Sequence, residues 1–106
     1  MTYSVYHSVT FDKQLENYPI EFKEWLDKVE EKQLTQNPYV GDPLNVRWFR
    51  EKKYGKFRVY YLIYDDPESV YMVAISAKKD QQKIIDTIRL LVDELHDDIK
   101  TIVGKK

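Results

Sequence analysis

Apolar and polar positions change their period three times along this chain. From Tyr3 to Phe11 they alternate, with Tyr3, Val5, His7, Val9 and Phe11 on one side and Ser4, Tyr6, Ser8 and Thr10 on the other, the period of a half-buried strand. His7 falls in the apolar set, where it reads as a hydrogen-bonded core or edge histidine rather than a catalytic one. Asp12 then offers a cap for a short helical turn, KQLENY, which Pro19 interrupts because the residue before a proline is pushed out of the helical region. A second helix is expected over Pro19 to Leu34, with Pro19 at its first position and Phe22, Trp25 or Leu26, Val29 and Leu34 on one stripe. The two form a helical hairpin.

Asn37-Pro38 and Gly41-Asp42-Pro43 are turn chemistry and end the helical half. Leu44 to Lys53 reads as a strand, Tyr54-Gly55-Lys56 as a turn with Gly55 free to take positive φ, and Phe57 to Tyr64 as the returning strand. Its parity places Phe57, Val59, Tyr61 and Ile63 on one face and Arg58, Tyr60, Leu62 and Tyr64 on the other. Asp65 to Ser69 is a second turn, and Val70 to Ala77 a third strand of nearly continuous apolar character. From Lys78 the period becomes helical, through Ile84 or Ile85, Ile88, Leu91 or Val92, Leu95, Ile99 and Ile102. The expected class is α+β: an N-terminal strand, a helical hairpin, a three-stranded antiparallel meander and a long C-terminal helix. One domain spans 1–106, with 79–103 a C-terminal helical extension whose apolar stripe needs the sheet, a second copy in a homodimer, or another partner to cover it.

Composition narrows the chemistry. The 106 residues include no cysteine, which excludes disulfides, Cys-based zinc sites and thiol nucleophiles and fits a reducing compartment. No metal motif and no glycine-rich phosphate loop is present, so no cofactor is expected. The N-terminus lacks the pattern of a secretory signal, and no apolar run approaches the ~20 residues of a membrane span; a cytoplasmic protein with no membrane association is the expectation.

Charge is concentrated. Between Arg47 and Arg58 lie six basic residues, Arg47, Arg50, Lys52, Lys53, Lys56 and Arg58, against Glu51 alone, a balance of +5 in a chain of net charge −1. Such a cluster on one hairpin suits a polyanion; the competing reading is a charged edge strand that resists sheet-to-sheet pairing. The segment from Asp80 to Asp98 carries six acids against Lys83 and Arg89, making the last helix amphipathic and acidic.

The order of elements, together with Leu34-x-x-Asn37-Pro38-x-x-Gly41-x-Pro43-Leu44, the basic strand, Gly55-Lys56-Phe57-Arg58-Val59-Tyr60-Tyr61 and Val73-Ala74-Ile75-Ser76, resembles the RelE/ParE superfamily of toxins from type II toxin–antitoxin modules over Tyr3 to Lys79. The resemblance implies a twisted antiparallel sheet with two helices on one face and a basic concave face on the other. It further implies a RelE-like toxin that cleaves messenger RNA on the ribosome without metal, the 2′-hydroxyl attacking the adjacent phosphate, and a cognate antitoxin as partner. Arg58 matches the family's phosphate-supporting arginine. With Lys53 and Lys78 it forms the expected catalytic set, and Arg47, Arg50, Lys52, Lys56, Lys79 and Tyr54 the expected RNA- or phosphate-binding set. The family's tyrosine or histidine after the last strand has no counterpart in Ala77 to Asp86, where Lys78 or Lys79 stands in for its arginine. That departure keeps open a ParE-like gyrase-binding toxin or an inactive relative on the same fold.

Overall fold

A computed structural model describes residues 2–104; Met1, Lys105 and Lys106, the ends of the expected domain, lie outside it. The elements are β1 (Ser4–His7), α1 (Val9–Leu15), α2 (Ile20–Val29), β2 (Asp42–Pro43), β3 (Phe49–Tyr54), β4 (Phe57–Tyr64), β5 (Ser69–Ala77) and α3 (Gln81–Gly104). They form a five-stranded sheet in the order β1-β5-β4-β3-β2. It is mixed rather than antiparallel, because β1 enters the edge beside β5 in parallel, Val5 opposite Val70.

The first strand stops at His7, short of the expected Phe11. Ser8 adopts an extended backbone and its Oγ accepts from Phe11 N at 3.0 Å, a side-chain N-cap. The cap is therefore Ser8, not Asp12, and Phe11 is buried from a helix rather than from the strand its spacing suggested. Asp12 instead accepts from His7: the imidazole sits between Asp12 Oδ1 and Glu30 Oε2, each at 2.7 Å, joining β1, α1 and the end of the second helix. Pro19 is the extended N-cap of α2, one position before the place expected for it. Beyond Val29 the helix widens into a π turn over Glu30–Leu34, with Thr35 N donating to Glu30 O. Leu34 nevertheless stays fully buried.

The strand expected from Leu44 begins only at Phe49. Residues 44–48 form a loop with Asn45 at φ 70°, closed where Leu44 N donates to Phe49 O. At its root, Gly41 N donates to the Tyr61 hydroxyl, which itself donates to Pro38 O at 2.6 Å. The next hairpin turns at Gly55-Lys56, with Gly55 at φ 57°.

Strand parity divides the core as expected for β4. Val59, Tyr61 and Ile63 pack with Phe11, Phe22, Leu26 and Leu34 of the helical layer. Tyr60 and Leu62 face the other way with Phe49, Tyr71 and Val73. A register shift between Tyr60 and Tyr61 opposes the β5 bulge near Val73, so Val73 and Ala74 share a face and Ile75 returns to the helical side. The second face is not an open basic surface: α3 lies across it through Ile85, Ile88 and Ile99. At about 1.5 Å per residue its 24 residues run about 35 Å, the longest dimension of the molecule, 34 Å. Helices on both faces explain why β5 reads as a continuous apolar run. The helix's apolar stripe is spent on its own sheet, the first of the ways anticipated for covering it.

Candidate nucleic-acid interface

The tight turn at Gly55 brings β3 and β4 back to one end of the sheet, and Lys78 N donates to Lys56 O at 2.7 Å. Residues far apart in sequence thus meet: Lys56 in the turn and Lys78 and Lys79 in the single 3₁₀ turn, Lys78–Asp80, that follows β5. Lys53, opposite Arg58 in the ladder, completes the group. Its Nζ lies 3.4 Å from Asp42, with about half the side chain exposed. Four lysines lie at one end of the sheet, the Lys56 ammonium 5.8 Å from the centre of the Phe57 ring that packs on the helical side, and Lys56, Lys78 and Lys79 have no carboxylate partner among the described residues.

Arg58 lies at the same end of the sheet but beneath the surface, with 6% of its area exposed. Its Nη1 donates to Gly55 O and Phe57 O, both at 2.9 Å, while its buried Nε has no hydrogen-bond partner. No carboxylate within the described residues forms an ion pair with it. A guanidinium so placed keeps unused donors in a region where desolvation is costly, and an anion would supply what is missing.

Buried polar groups line the same face. The Tyr60 hydroxyl and Ser76 Oγ are hydrogen-bonded at 2.8 Å, and Ser76 Oγ lies 3.0 Å from Ala77 O. Burial pushes the Tyr60 phenol above its ordinary pKa; the Ser76 bond and Arg58 act against this, and Glu51 adds to it. Glu51, opposite Tyr60 in the ladder, is 4% exposed and accepts from Gln81 Nε2 at 2.6 Å. That bond fastens the first turn of α3 over the site. Charge counting treated Glu51 only as an acid diluting the basic run, and Ser76 and Gln81 carried no signal. Strand parity, which placed Tyr60 beside Arg58, was the clue to the buried group.

The remaining expected residues lie elsewhere. Tyr54 faces the helical layer and packs against Trp25 and Phe22, with ring centroids 5.0 and 5.7 Å away. Lys52, opposite Val59, shares that parity. Arg47, in the 44–48 loop, and Arg50 lie toward the other end of the hairpin, Arg50 three ladder positions or about 10 Å from the Lys53–Arg58 pair. Both guanidiniums cover the Tyr39 ring, at 4.0 and 5.0 Å. Arg50 also donates to Arg47 O, Tyr39 O and Gly41 O, stapling the connector to β3, and Arg47 pairs with Asp65 at 3.3 Å. The nine expected residues therefore form one cluster of five, Lys53, Lys56, Arg58, Lys78 and Lys79, and two groups that hold the fold. Among the described residues no three His, Cys, Asp or Glu side chains form a metal cluster, and no helix is long and apolar enough to cross a membrane.

No protein-family model and no curated protein matches the chain. Solved structures do. The RelBE2 toxin–antitoxin complex of Mycobacterium tuberculosis aligns with a TM-score of 0.64 and 21% identity, over 73% of this chain and 99% of its own. An Escherichia coli RelE mutant bound to a RelBc antitoxin peptide gives 0.65 and 15%, over 79% and 95%. The RelE–RelB complex of Pyrococcus horikoshii gives 0.55 and 19%, over 74% and 97%. Each is matched almost whole, while about a quarter of this chain extends beyond the match. The strand, helical layer, meander and C-terminal helix together are the RelE toxin fold.

Proposed function

We propose that the protein is the toxin of a type II toxin–antitoxin module, RelE-like in action, which inhibits translation by ribosome-dependent, metal-independent cleavage of messenger RNA. The observation that carries this reading is Arg58: a buried guanidinium with no carboxylate partner and an unpartnered Nε, with Lys53 opposite it and Lys56, Lys78 and Lys79 at the same end of the sheet. A phosphodiester seated there gives Arg58 its counter-ion and brings the lysines to its non-bridging oxygens. The 2′-oxygen attacks phosphorus and the bond to the 5′-oxygen breaks, leaving a 2′,3′-cyclic phosphate and a 5′-hydroxyl. One proton leaves the 2′-hydroxyl and one arrives at the departing oxygen. Lys53 and Lys78 are assigned to the scissile phosphate with Arg58; Lys56 and Lys79 are assigned to flanking phosphates. The partners are the ribosome with its messenger RNA and a cognate antitoxin, in a cytoplasmic setting.

The closed state of the site favours a second reading. Arg58 is 6% exposed and the Gln81–Glu51 bond fastens the first turn of α3 to the same face, an arrangement equally suited to a ParE-like gyrase-binding toxin or an inactive relative that uses only the lysine surface. Induced expression separates them. Messenger RNA cleavage with growth arrest, both abolished by Arg58→Ala, supports the ribonuclease. A DNA-damage response with intact messenger RNA supports the gyrase reading. Unaffected growth with soluble, folded protein overturns toxicity altogether.

A further inference from the structure

At the end of the sheet remote from Arg58, the 44–48 loop, the end of β4, the following turn and the middle of α3 border an open surface cavity of about 470 Å³. Its walls are aromatic: Tyr39, Trp48 and the Tyr64–His96 pair, whose rings are 5.3 Å apart. Trp48 is 41% exposed, although its backbone is fixed where Ile63 N donates to Trp48 O. Asp65, Asp66 and Asp93 also line the space.

Half of this cavity already holds a cation. The Arg47 guanidinium lies over the Tyr39 ring and pairs with Asp65, whose carboxylate also accepts from the Tyr39 and Tyr3 hydroxyls. The other half repeats the same composition without a cation. It offers the Trp48 and Tyr64 rings together with Asp66 and Asp93, neither of which has an ion pair or hydrogen bond among the described residues. The nearest other cations on α3 are Arg89, which donates to Leu44 O at 3.4 Å, and Lys100, one turn beyond His96. Aromatic faces backed by carboxylates are the chemistry that holds an ammonium or guanidinium group.

A second cavity, about 210 Å³, shares Tyr64, Asp66 and His96 with the first; Pro67, Ile99 and Val103 make most of the rest of its wall apolar, with Lys100 at its rim. Two adjoining sockets, one acidic and aromatic and one apolar, match two side chains of one chain better than a single small cation.

We propose that this trough is a docking site for a basic–apolar peptide segment of a partner protein, an arginine or lysine entering between Trp48 and Tyr64 toward Asp66 and Asp93, and an apolar neighbour filling the second socket. The site is independent of Arg58 and of the ribonuclease reading.

The test titrates the intact protein with a short acetylated Arg-Leu peptide at low salt and follows the Trp48 indole N–H resonance, assigned with Trp48→Phe. A saturable shift at Trp48 and at amides of 64–66 and 92–96 is expected, with affinity falling at least tenfold in Asp66→Asn/Asp93→Asn and unchanged in Arg58→Met. A matched Glu-Leu peptide should not bind, and an Arg-Ser peptide should bind more weakly. The absence of a saturable shift, or equal affinity in the double variant, overturns the site. Agmatine binding as tightly as the Arg-Leu peptide, or Arg-Ser equalling it, overturns the peptide assignment. Circular dichroism of each variant confirms that it is folded.

Discussion

Replacing Arg58 with methionine should separate stability from anion binding. The substitution keeps an unbranched stem of similar reach in the buried position and removes the guanidinium. Two hydrogen bonds from a charged donor are lost, to Gly55 O and Phe57 O, each of which contributes about 1.5–3 kcal/mol. Against them stand the unpartnered Nε, which costs about 1–3 kcal/mol, and the desolvation of a cation with no counter-ion, several kcal/mol more. These contributions nearly cancel, so urea unfolding of Arg58→Met should give a stability within about 2 kcal/mol of the parent. Affinity for a single-stranded RNA oligonucleotide should fall at least tenfold, about 1.4 kcal/mol. The slope of log affinity against log salt should become shallower by about 0.7, the loss of one phosphate contact on a single strand. Destabilisation beyond about 3 kcal/mol with unchanged RNA affinity would refute the reasoning, because it would make the guanidinium a brace for the Gly55 turn rather than an anion site.

Four further expectations probe the scaffold. A Cβ at Gly41 would stand 2.5 Å from the Tyr61 hydroxyl and 2.6 Å from the Glu51 carbonyl, so Gly41→Ala should cost at least about 1–3 kcal/mol in urea unfolding. Gly55 has positive φ but open space around it, so Gly55→Asn should be nearly neutral and Gly55→Val should cost about 1–2 kcal/mol. Burial lowers the His7 pKa, but Glu30 and Asp12 together outweigh it and raise the value above 6.5. The stability His7 adds over His7→Gln should therefore be full below pH 6.5, while both carboxylates remain ionised, and should be lost as pH rises through the folded-state value; a difference that grows from pH 6 to pH 8.5 contradicts the clasp. Ile88 is buried on the sheet-facing side of α3 and Leu90 is 85% exposed, so Ile88→Ala should cost about 2–5 kcal/mol and Leu90→Ala under about 0.5 kcal/mol, with equal losses refuting the assigned helix face.

Local physics made several elements legible before any contact was known. Gly55 between two strands, the alternation through β4 and the 3.6-residue period of α3 each depend on neighbours a few positions away. They therefore predicted the turn, the two-faced strand and the helix. The boundaries that failed depended on competing local bonds: Ser8 captured the Phe11 amide and ended β1 early, and the loop closed by Leu44 and Phe49 delayed β3. Parity alone also anticipated that Arg58 would lie with Tyr60, away from the helical layer.

What only tertiary structure decided was which cations act together and what covers them. A run of basic residues along an extended hairpin spans about 20 Å, so Arg47 and Arg50 became attached to Tyr39 at one end while Lys53, Lys56 and Arg58 gathered at the other. Lys78 and Lys79 joined the second group because the register of the β4–β5 hairpin, with its shift at Tyr60/Tyr61, sets Ala77 beside Phe57 at the Gly55 turn. The burial of Arg58 has the same origin: it sits two positions from the exposed Lys56 yet is 6% exposed, while the nearby Gln81–Glu51 bond, formed from a residue more than twenty positions later, fastens α3 to the same face. Charge and periodicity are properties of the chain, whereas solvation and counter-ion pairing belong to the assembled surface, and the chemistry of this site rests on the latter.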